Sequence, residues 1–453
     1  MEKRATFGSK LGIILVSAGS AVGLGNVWRF PTEVGANGGA AFILVYILCV
    51  VLLGVPLMTA EFIVGRNTHQ NPFDAYRTLA PGTAWAFQGG MGVFAAWFIL
   101  SYYSVVAGWT LQYLVSALMG RVTTMTDSAA YFTEFTQSAW MPVVMTAVVL
   151  LMSHWVIVRG VQAGIEKYSK LMMPMLLLII AVLVVGSFAM PGSADGLRFL
   201  LKPDFSKLDG GVLLSAMGQA FFSLSVGMGC LCTYASYFTD DARLLKTAGS
   251  VALIDTMVAV MSGFIIFPAV FSVQTVAPDA GPGLVFITLP SVFQMAFENV
   301  PLVGWFFAVM FYLLLLLAAL TSMMSLHEPV TALLIERFRL SRRAATSVVT
   351  LSCIALGTVC ALSFGPLKDV RFLFGMTFFD FFDFLSAKII MPLGGFLLSV
   401  FVGWYLPRKL VIKELTNNHK LRFPRWLFVS FFFLIRWVAP LAIMAIFVNE
   451  LLS

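Results

Sequence analysis

Two apolar stretches of this sequence contain glycine-rich interruptions, each next to side chains that carry oxygen. The first interruption runs from Gly19 to Asn26 and the second from Ser223 to Gly229. Where a buried helix unwinds, its carbonyl groups become available to cations and its N–H groups to anions. The oxygens of Asn26 and Ser223 are ligands that a hard cation such as Na⁺ favours. Either interruption alone is explained equally well by close helix packing, but the pair indicates a transport site between two inverted repeats.

Several ionisable side chains also lie within apolar stretches, where a charge is costly and therefore suggests a function. Asp255 lies in the middle of one such stretch, so its carboxylate requires a cation or a hydrogen-bonding partner. Thr321 and Ser322 place two hydroxyls in another apolar run, either as ligands or as donors to their own helix backbone. The other ionisable residues of this kind are Arg29, Glu61, Asp380, Asp383 and Lys388.

The composition is that of a membrane protein. Of the 453 residues, 59% are hydrophobic and 11% are charged, whereas about 25% are charged in a soluble domain. This composition excludes a soluble enzyme, a nucleic-acid-binding protein and a disordered chain. The five cysteines lie in apolar segments and are expected to be buried thiols. The four histidines are scattered, which argues against a membrane-embedded enzyme with a metal cluster.

Eleven apolar stretches are long enough to cross a bilayer as helices, which takes about 20 residues. If the N-terminus is cytoplasmic, 20 of the 29 Lys and Arg residues fall on the cytoplasmic side and 6 on the other. The positive-inside rule therefore predicts this orientation, and an odd number of spans places the C-terminus outside. We expect one domain in the inner or plasma membrane, with the lipid bilayer as a partner and no nucleic acid. The stretches lie near 11–36, 40–65, 87–119, 140–158, 166–190, 211–239, 248–275, 303–336, 345–365, 373–405 and 426–449.

Three motifs resemble those of the neurotransmitter:sodium symporter family. They are GSAVGLGNVWRFP from Gly19, followed by GANGGAAF, then GQAFFSLSVGMGCLCTYASY from Gly218, and ALTSMMSLHEP from Ala319. The resemblance implies an all-α integral membrane protein with the leucine-transporter fold. Two inverted five-helix repeats would span approximately 11–190 and 211–405, with one further helix at approximately 426–449. Helices 1 and 6 would be unwound at mid-membrane.

The resemblance also implies two Na⁺ sites. The first would use Ala21, Asn26, Ser223 and Asp255. Asp255 departs from the family, which usually has Asn there, and its carboxylate can supply the counter-charge that chloride supplies in other members. We therefore expect no chloride dependence. The second site would use the carbonyls of Gly19, Val22 and Ala318 and the hydroxyls of Thr321 and Ser322.

The implied substrate is an amino acid whose carboxylate binds the unwound backbone of helix 1 and Tyr103. Monoamine members carry an acid where this sequence has Gly23, which leaves the site free for a carboxylate. The pocket is apolar, so we expect import of neutral hydrophobic or aromatic L-amino acids, and Met228 is flexible enough to admit large rings. A betaine symporter and a transporter-like sensor without flux remain alternatives. The substrate-binding residues implied are Ser20, Ala21, Leu24, Gly25, Ile99, Tyr103, Phe222, Ser223, Ser225, Met228, Met323, Ser325 and Leu326.

The resemblance further implies two gates. Arg29 would pair with Asp383 on the outer side, and Arg4 with Glu336 on the inner side, where Tyr237 and Glu328 would support the gate. Glu61 would brace the unwound part of helix 6. Gly164 and Pro174 are consistent with either a hinge in helix 5 or the ordinary start of that helix.

Overall fold

A computed structural model of the chain describes residues 5–125, 127–272 and 283–452. These residues form helices joined by short loops, with no β-strand among them. We number the principal helices α1 (Lys10–Ala21 and Gly25–Ala36), α2 (Ala40–Thr68), α3 (Ala86–Leu118), α4 (Met141–Ile157), α5 (Val161–Ser187), α6 (Gly210–Ser223 and Cys230–Ala235), α7 (Leu244–Phe271), α8 (Pro301–Phe338), α9 (Arg342–Leu362), α10 (Phe378–Tyr405) and α11 (Arg425–Leu451). Shorter helices at Pro72–Leu79, Ser128–Gln137, Ser193–Leu201, Leu284–Ala296 and Arg408–Leu415 connect them.

Helices occupy all eleven predicted stretches. By length and hydropathy, eight continuous helices of the described residues could each cross a membrane, and counting two bent pairs as single spans gives ten. The two halves of α6 are 14 and 6 residues long, which is too short for either half to span alone. The protein is therefore a multi-pass membrane protein, while the count of eleven crossings and the repeat boundaries stay predictions.

Both predicted helix breaks are present. The two halves of α1 meet at 57°. In α6 the break runs through Ser225, Gly227 and Gly229, whose φ angles are +53°, +91° and +72°. A positive φ is readily available to glycine, and Gly227 is also constrained by space, because a Cβ there would lie 2.7 Å from the carbonyl oxygen of Met391.

Close backbone contacts hold the helices together. A Cβ at Gly65 in α2 would lie 2.0 Å from the carbonyl oxygen of Cys232 in α6, and one at Gly108 in α3 would lie 2.8 Å from the backbone nitrogen of Thr146 in α4. Glycines allow such approach between membrane helices. By contrast, large apolar side chains remain exposed on the outer faces of the bundle, as expected where hydrocarbon replaces water. Leu48, Leu178, Val185, Leu253 and Leu441 are 56%, 65%, 70%, 70% and 69% exposed.

Candidate functional site

The first predicted Na⁺ site is a buried cluster centred on Asp255. The Asn26 amide donates to its Oδ1 over 2.7 Å, and the Ser223 hydroxyl donates to its Oδ2 over 2.8 Å. Tyr46, which sequence reasoning missed, donates to the same Oδ2 over 3.3 Å. All four side chains are at most 3% exposed. A carboxylate, an amide and a hydroxyl from three different helices thus meet at one point, and these are groups whose oxygens suit Na⁺.

The second predicted Na⁺ site brings α1 and α8 together. The Ser322 hydroxyl donates to the carbonyl of Val22 across the helix interface over 3.1 Å. The Thr321 hydroxyl instead donates to its own helix, to Leu317 and Ala318 over 3.1 and 3.0 Å. Thr321 therefore bonds to its own helix backbone and Ser322 bonds across to α1, while sodium binding by either hydroxyl stays a prediction. Gly19 of α1 packs closely on Thr321 of α8, since a Cβ on Gly19 would lie 3.2 Å from Cβ of Thr321.

A cavity of about 420 Å³ lies beside the two helix breaks. At its inner end the Tyr103 hydroxyl accepts a hydrogen bond of 3.1 Å from the backbone N–H of Leu24, where α1 is broken. The Ser225 hydroxyl donates to the carbonyl of Ser20 over 2.9 Å and so links the two breaks. Gly23 leaves no room for a side chain, because a Cβ would lie 2.7 Å from Oγ of Ser322.

The structure brings together almost every predicted substrate residue. Met323 is the exception among the described residues, because it is fully buried and does not line this cavity. The face of α8 that lines the cavity carries Ser322, Ser325 and Leu326, and Met323 lies on another face. Those cavity positions follow the spacing of three and four residues that defines one helix face. The other twelve line the cavity: Ser20, Ala21, Leu24, Gly25, Ile99, Tyr103, Phe222, Ser223, Ser225, Met228, Ser325 and Leu326.

The cavity extends outward beyond the residues that the motifs indicated. Aromatic side chains from four helices or loops line this outer part, and two acids, Asp380 and Asp383, lie among them. The lining is therefore uncharged near the helix breaks and acidic toward the outer end. No motif signalled the added aromatic residues, which are Tyr102, Trp109, Phe132, Phe364 and Phe379.

The outer gate is arranged differently from the prediction. No ion pair joins Arg29 to Asp383 among the described residues; Arg29 lies instead 3.9 Å from Glu33 and 3.9 Å from Glu450 of α11. Its guanidinium also lies 4.4 Å from the Phe222 ring centroid. Arg29 and Asp383 both line a cavity of about 290 Å³. The predicted closed pair would require Arg29 to leave its present partners.

The N-terminal segment ties together the side of the molecule that is predicted to be the inner one. Arg4 lies outside the described residues, so the predicted pair with Glu336 is not seen, and Glu336 accepts hydrogen bonds of 2.8 Å from the backbone and side chain of Asn71. Lys10, at the start of α1, forms a 2.7 Å ion pair with Asp241, and this hydrogen-bonded ammonium lowers the pKa of the Asp241 carboxyl to about 2. The N-terminal end of α1 is thus anchored to the loop after α6.

Two further buried acids support this arrangement. Glu61 of α2 accepts from the backbone N–H groups of Gly227 and Cys232 over 2.6 and 3.0 Å, and so holds the broken part of α6. Glu328 of α8 accepts from the Tyr237 hydroxyl over 2.7 Å and pairs with Arg342 at 2.6 Å. Arg342 was not predicted from sequence, because it lies beyond the end of the eighth-helix motif.

Two broken helices around a central cavity, with oxygen-rich clusters beside it, define a membrane transporter with a midplane binding site. Residues 4–142 and 132–453 match the sequence profile of the sodium:neurotransmitter symporter family. The chain therefore belongs to this family, as its motifs indicated. It is a sodium-dependent transporter and not an enzyme.

Individual relatives cover the whole chain. It is 38% identical over 450 residues to the uncharacterised sodium-dependent transporter YhdH of Bacillus subtilis, which covers 99% of this chain and 98% of the relative. It is 34% identical over 463 residues to an uncharacterised sodium-dependent transporter of Haemophilus influenzae, covering 99% of both. The crystal structure of MhsT in complex with L-phenylalanine matches with a TM-score of 0.89 and 38% identity, over 99% of this chain and 100% of MhsT. This likeness confirms the leucine-transporter fold.

Proposed function

We propose that this protein imports neutral hydrophobic or aromatic L-amino acids in symport with Na⁺, by alternating access and without chloride. The observation that carries the proposal is the cavity at the paired helix breaks. Its inner end combines the Leu24 N–H and the Tyr103 hydroxyl with an uncharged wall. A carboxylate suits the first two groups, because backbone N–H groups at a helix break bind anions, and an apolar side chain suits the wall.

The two oxygen clusters support Na⁺ as the coupling ion. Ala21, Asn26, Ser223 and Asp255 would bind one ion, and Gly19, Val22, Ala318, Thr321 and Ser322 the other. The substrate carboxylate would lie beside the first ion, so substrate and ion stabilise each other. This mutual stabilisation is the coupling free energy that makes uptake depend on sodium. The solved complex of MhsT with L-phenylalanine supports an amino acid of this class.

The test is radiolabelled uptake into proteoliposomes with an imposed Na⁺ gradient. We expect concentrative uptake of leucine, phenylalanine or tryptophan that needs Na⁺ and is unchanged when chloride is replaced by gluconate. Glycine betaine should not compete. Uptake that strictly requires chloride would disprove the chloride part, and sodium-dependent binding without uptake would instead establish a sensor.

Two tyrosine variants, one of them a control, test where the substrate carboxylate binds. Tyr103→Phe removes the hydroxyl beside Leu24 and should raise the KM for the amino acid about 10- to 100-fold, since a hydrogen bond to a charged group contributes about 1.5–3 kcal/mol. Tyr113→Phe is the matched control, because its hydroxyl lies on the same helix but donates to Phe286 over 2.7 Å, away from the cavity. An unchanged KM in Tyr103→Phe would contradict the proposed orientation.

A further inference from the structure

Three arginines surround an apolar groove at the end of the molecule where α10 ends and α11 begins. The groove has a volume of about 500 Å³ and lies between the short helix Arg408–Leu415 and α11. Arg408, Arg425 and Arg436 line it together with apolar and aromatic side chains. None of these arginines takes part in the transport cavity or in either gate, so the transport reaction does not explain them.

Two of the guanidinium groups converge on a single ring. Arg408 lies 5.6 Å and Arg436 lies 5.3 Å from the centroid of Phe432. Arg436 is held in place, because its Nε donates to the carbonyl of Gly403 and its guanidinium also lies 5.5 Å from the Trp404 ring. The two guanidinium groups carry like charges and repel each other. An anion bound between them would turn this repulsion into two attractive interactions.

The described residues supply no such anion. No ion pair involves Arg408, Arg425 or Arg436 within the described part of the chain. Glu414, the acid nearest in sequence to Arg408 and Arg425, is already engaged: its carboxylate binds Arg66 at 2.6 Å. Glu450, the acid nearest in sequence to Arg436, pairs instead with Arg29 and Lys388. Arg436 is eleven residues beyond the start of α11, and an uncompensated charge this far along a membrane helix is costly. The arrangement therefore favours an external anion.

One wall of the groove is apolar and exposed. Val429, Phe433 and Trp437 lie on one side of α11 and are 61%, 58% and 52% exposed. Trp437 packs edge-to-face on Trp404, with ring centroids 4.8 Å apart. The groove thus offers apolar contacts along α11 and positive charge at one end. An anionic phospholipid carries the matching groups, an acyl chain and a negatively charged headgroup.

We propose that this groove binds an anionic phospholipid of the bilayer. The phosphate would lie between Arg408 and Arg436, where guanidinium groups can donate paired hydrogen bonds, and an acyl chain would run along Val429 and Phe433. Arg425 would face the headgroup. Basic pockets between helices on the cytoplasmic side commonly bind such headgroups, and this end of the molecule is the side that we predict to be cytoplasmic. The site is independent of the proposed substrate.

The experiment compares thermal unfolding of the purified protein with added phosphatidylglycerol and with added phosphatidylcholine. For the wild type we expect a melting temperature several degrees higher in phosphatidylglycerol, and native mass spectrometry should show one retained phosphatidylglycerol. The double variant R408Q/R436Q should lose most of that difference. Equal effects of the two lipids on the wild type, or an undiminished difference in the double variant, would overturn the proposal.

A control and a second measurement sharpen the test. Arg337→Gln is the matched control, because Arg337 also lies over a ring, 5.3 Å from Phe73, but already has Asp74 at 3.7 Å. Its lipid preference should equal that of the wild type. If R408Q/R436Q does not fold, quenching by brominated lipids tests the site in the wild type. Brominated phosphatidylglycerol should quench tryptophan fluorescence more than brominated phosphatidylcholine does. Trp437→Phe should reduce this difference in quenching.

The same variants distinguish a lipid in the groove from one other occupant, a second copy of this chain. A second copy of this chain seated on the same groove would give a concentration-dependent dimer that the double variant abolishes in either lipid. That result, without a preference for phosphatidylglycerol, would replace the lipid proposal by a dimer interface.

Discussion

Asp255 is the residue that most distinguishes the electrostatics of this protein. It is completely buried, and it accepts hydrogen bonds from Asn26, Ser223 and Tyr46. A Na⁺ ion bound among these groups would have a covalently fixed negative charge beside it. A fixed carboxylate needs no exchangeable anion, and this is the physical basis for expecting chloride independence.

The variant Asp255→Asn tests that idea. It keeps the shape of the side chain and removes its charge, so the bound Na⁺ would lose its counter-charge in a low-dielectric site. We expect uptake without chloride to fall at least about tenfold, equivalent to about 1.4 kcal/mol, and chloride to restore part of it. Uptake at several chloride concentrations measures this.

Asp369→Asn provides the matched control for Asp255→Asn, because Asp369 is an exposed loop residue. It should transport as the wild type does at every chloride concentration. An Asp255→Asn protein with wild-type Na⁺ affinity in chloride-free buffer would refute the role given to this carboxylate.

Met228 tests the size of the substrate pocket. Its side chain is 5% exposed and lines the cavity beside the α6 break. Met228→Phe would replace a flexible chain with a rigid ring and reduce the space available. We therefore expect the ratio of tryptophan to leucine uptake to fall about tenfold, measured by competition. An unchanged ratio would place the substrate ring elsewhere.

Among the helices, α5 holds the N-terminal segment in place. Glu166, in the first turns of α5, accepts from the Gly8 N–H over 2.6 Å and from the Ser9 hydroxyl over 2.9 Å, and it pairs with Lys170. Gly12 permits this approach, because a Cβ there would overlap the Glu166 carboxylate. Gly164, two residues earlier, packs against the carbonyl of Val156, where a Cβ would lie within 2.1 Å. Unwinding at Gly164 would therefore also release the N-terminal segment, although the hinge itself stays a prediction.

Glu166→Gln should weaken this connection. The neutral amide loses the charge that strengthens the bonds to Gly8 and Ser9, so the inner end of α1 should open more often. We expect a Ser17→Cys reporter, at a position that is fully buried, to react about tenfold faster with a maleimide above the background of the native cysteines. Glu134→Gln, an exposed acid on the helix Ser128–Gln137, should leave the rate unchanged. Equal rates in Glu166→Gln and the wild type would contradict the connection.

Two helix glycines make contrasting predictions about packing. Gly65→Ala would force a methyl group to within 2.0 Å of the Cys232 carbonyl oxygen, so α2 and the second half of α6 must separate. Overpacking of this kind costs about 1–3 kcal/mol, and we expect the melting temperature to fall by several degrees. Gly249 of α7 has no neighbour within 4 Å of an added Cβ. Gly249→Ala should therefore be neutral or stabilising by up to about 1 kcal/mol, because alanine favours helix; a similar loss in both variants would contradict the packing argument.

At the scale of the whole molecule, reporter fusions test the orientation in the membrane. The predicted arrangement has a cytoplasmic N-terminus and eleven crossings, so the C-terminus should lie outside. A fluorescent protein fused before Met1 should therefore fluoresce, and alkaline phosphatase fused after Ser453 should be active. Phosphatase fusions in the loops that contain Arg77 and Arg243 should be inactive as cytoplasmic controls. An inactive C-terminal fusion, with a stable fusion protein, would show that one stretch does not cross.

The sequence alone determined the class and the local chemistry of this protein. Membrane helices are recognisable because hydrocarbon requires long apolar runs, and paired glycine breaks such as Gly23 and Gly227 are recognisable because lipid penalises unwound backbone. The motifs of α1, α6 and α8 placed ten of their eleven predicted substrate residues on one cavity, which Ile99 and Tyr103 of α3 also line.

The tertiary structure alone decided several of the contacts across helices. Tyr46 reaches Asp255, Arg342 reaches Glu328, and Glu450 takes the place beside Arg29 that sequence comparison gave to Asp383. Met323 faces away because the rotation of α8 is set by its packing on several neighbours at once. Such pairings depend on helix rotation and tilt, which arise from contacts distant in sequence, so no local pattern encodes them.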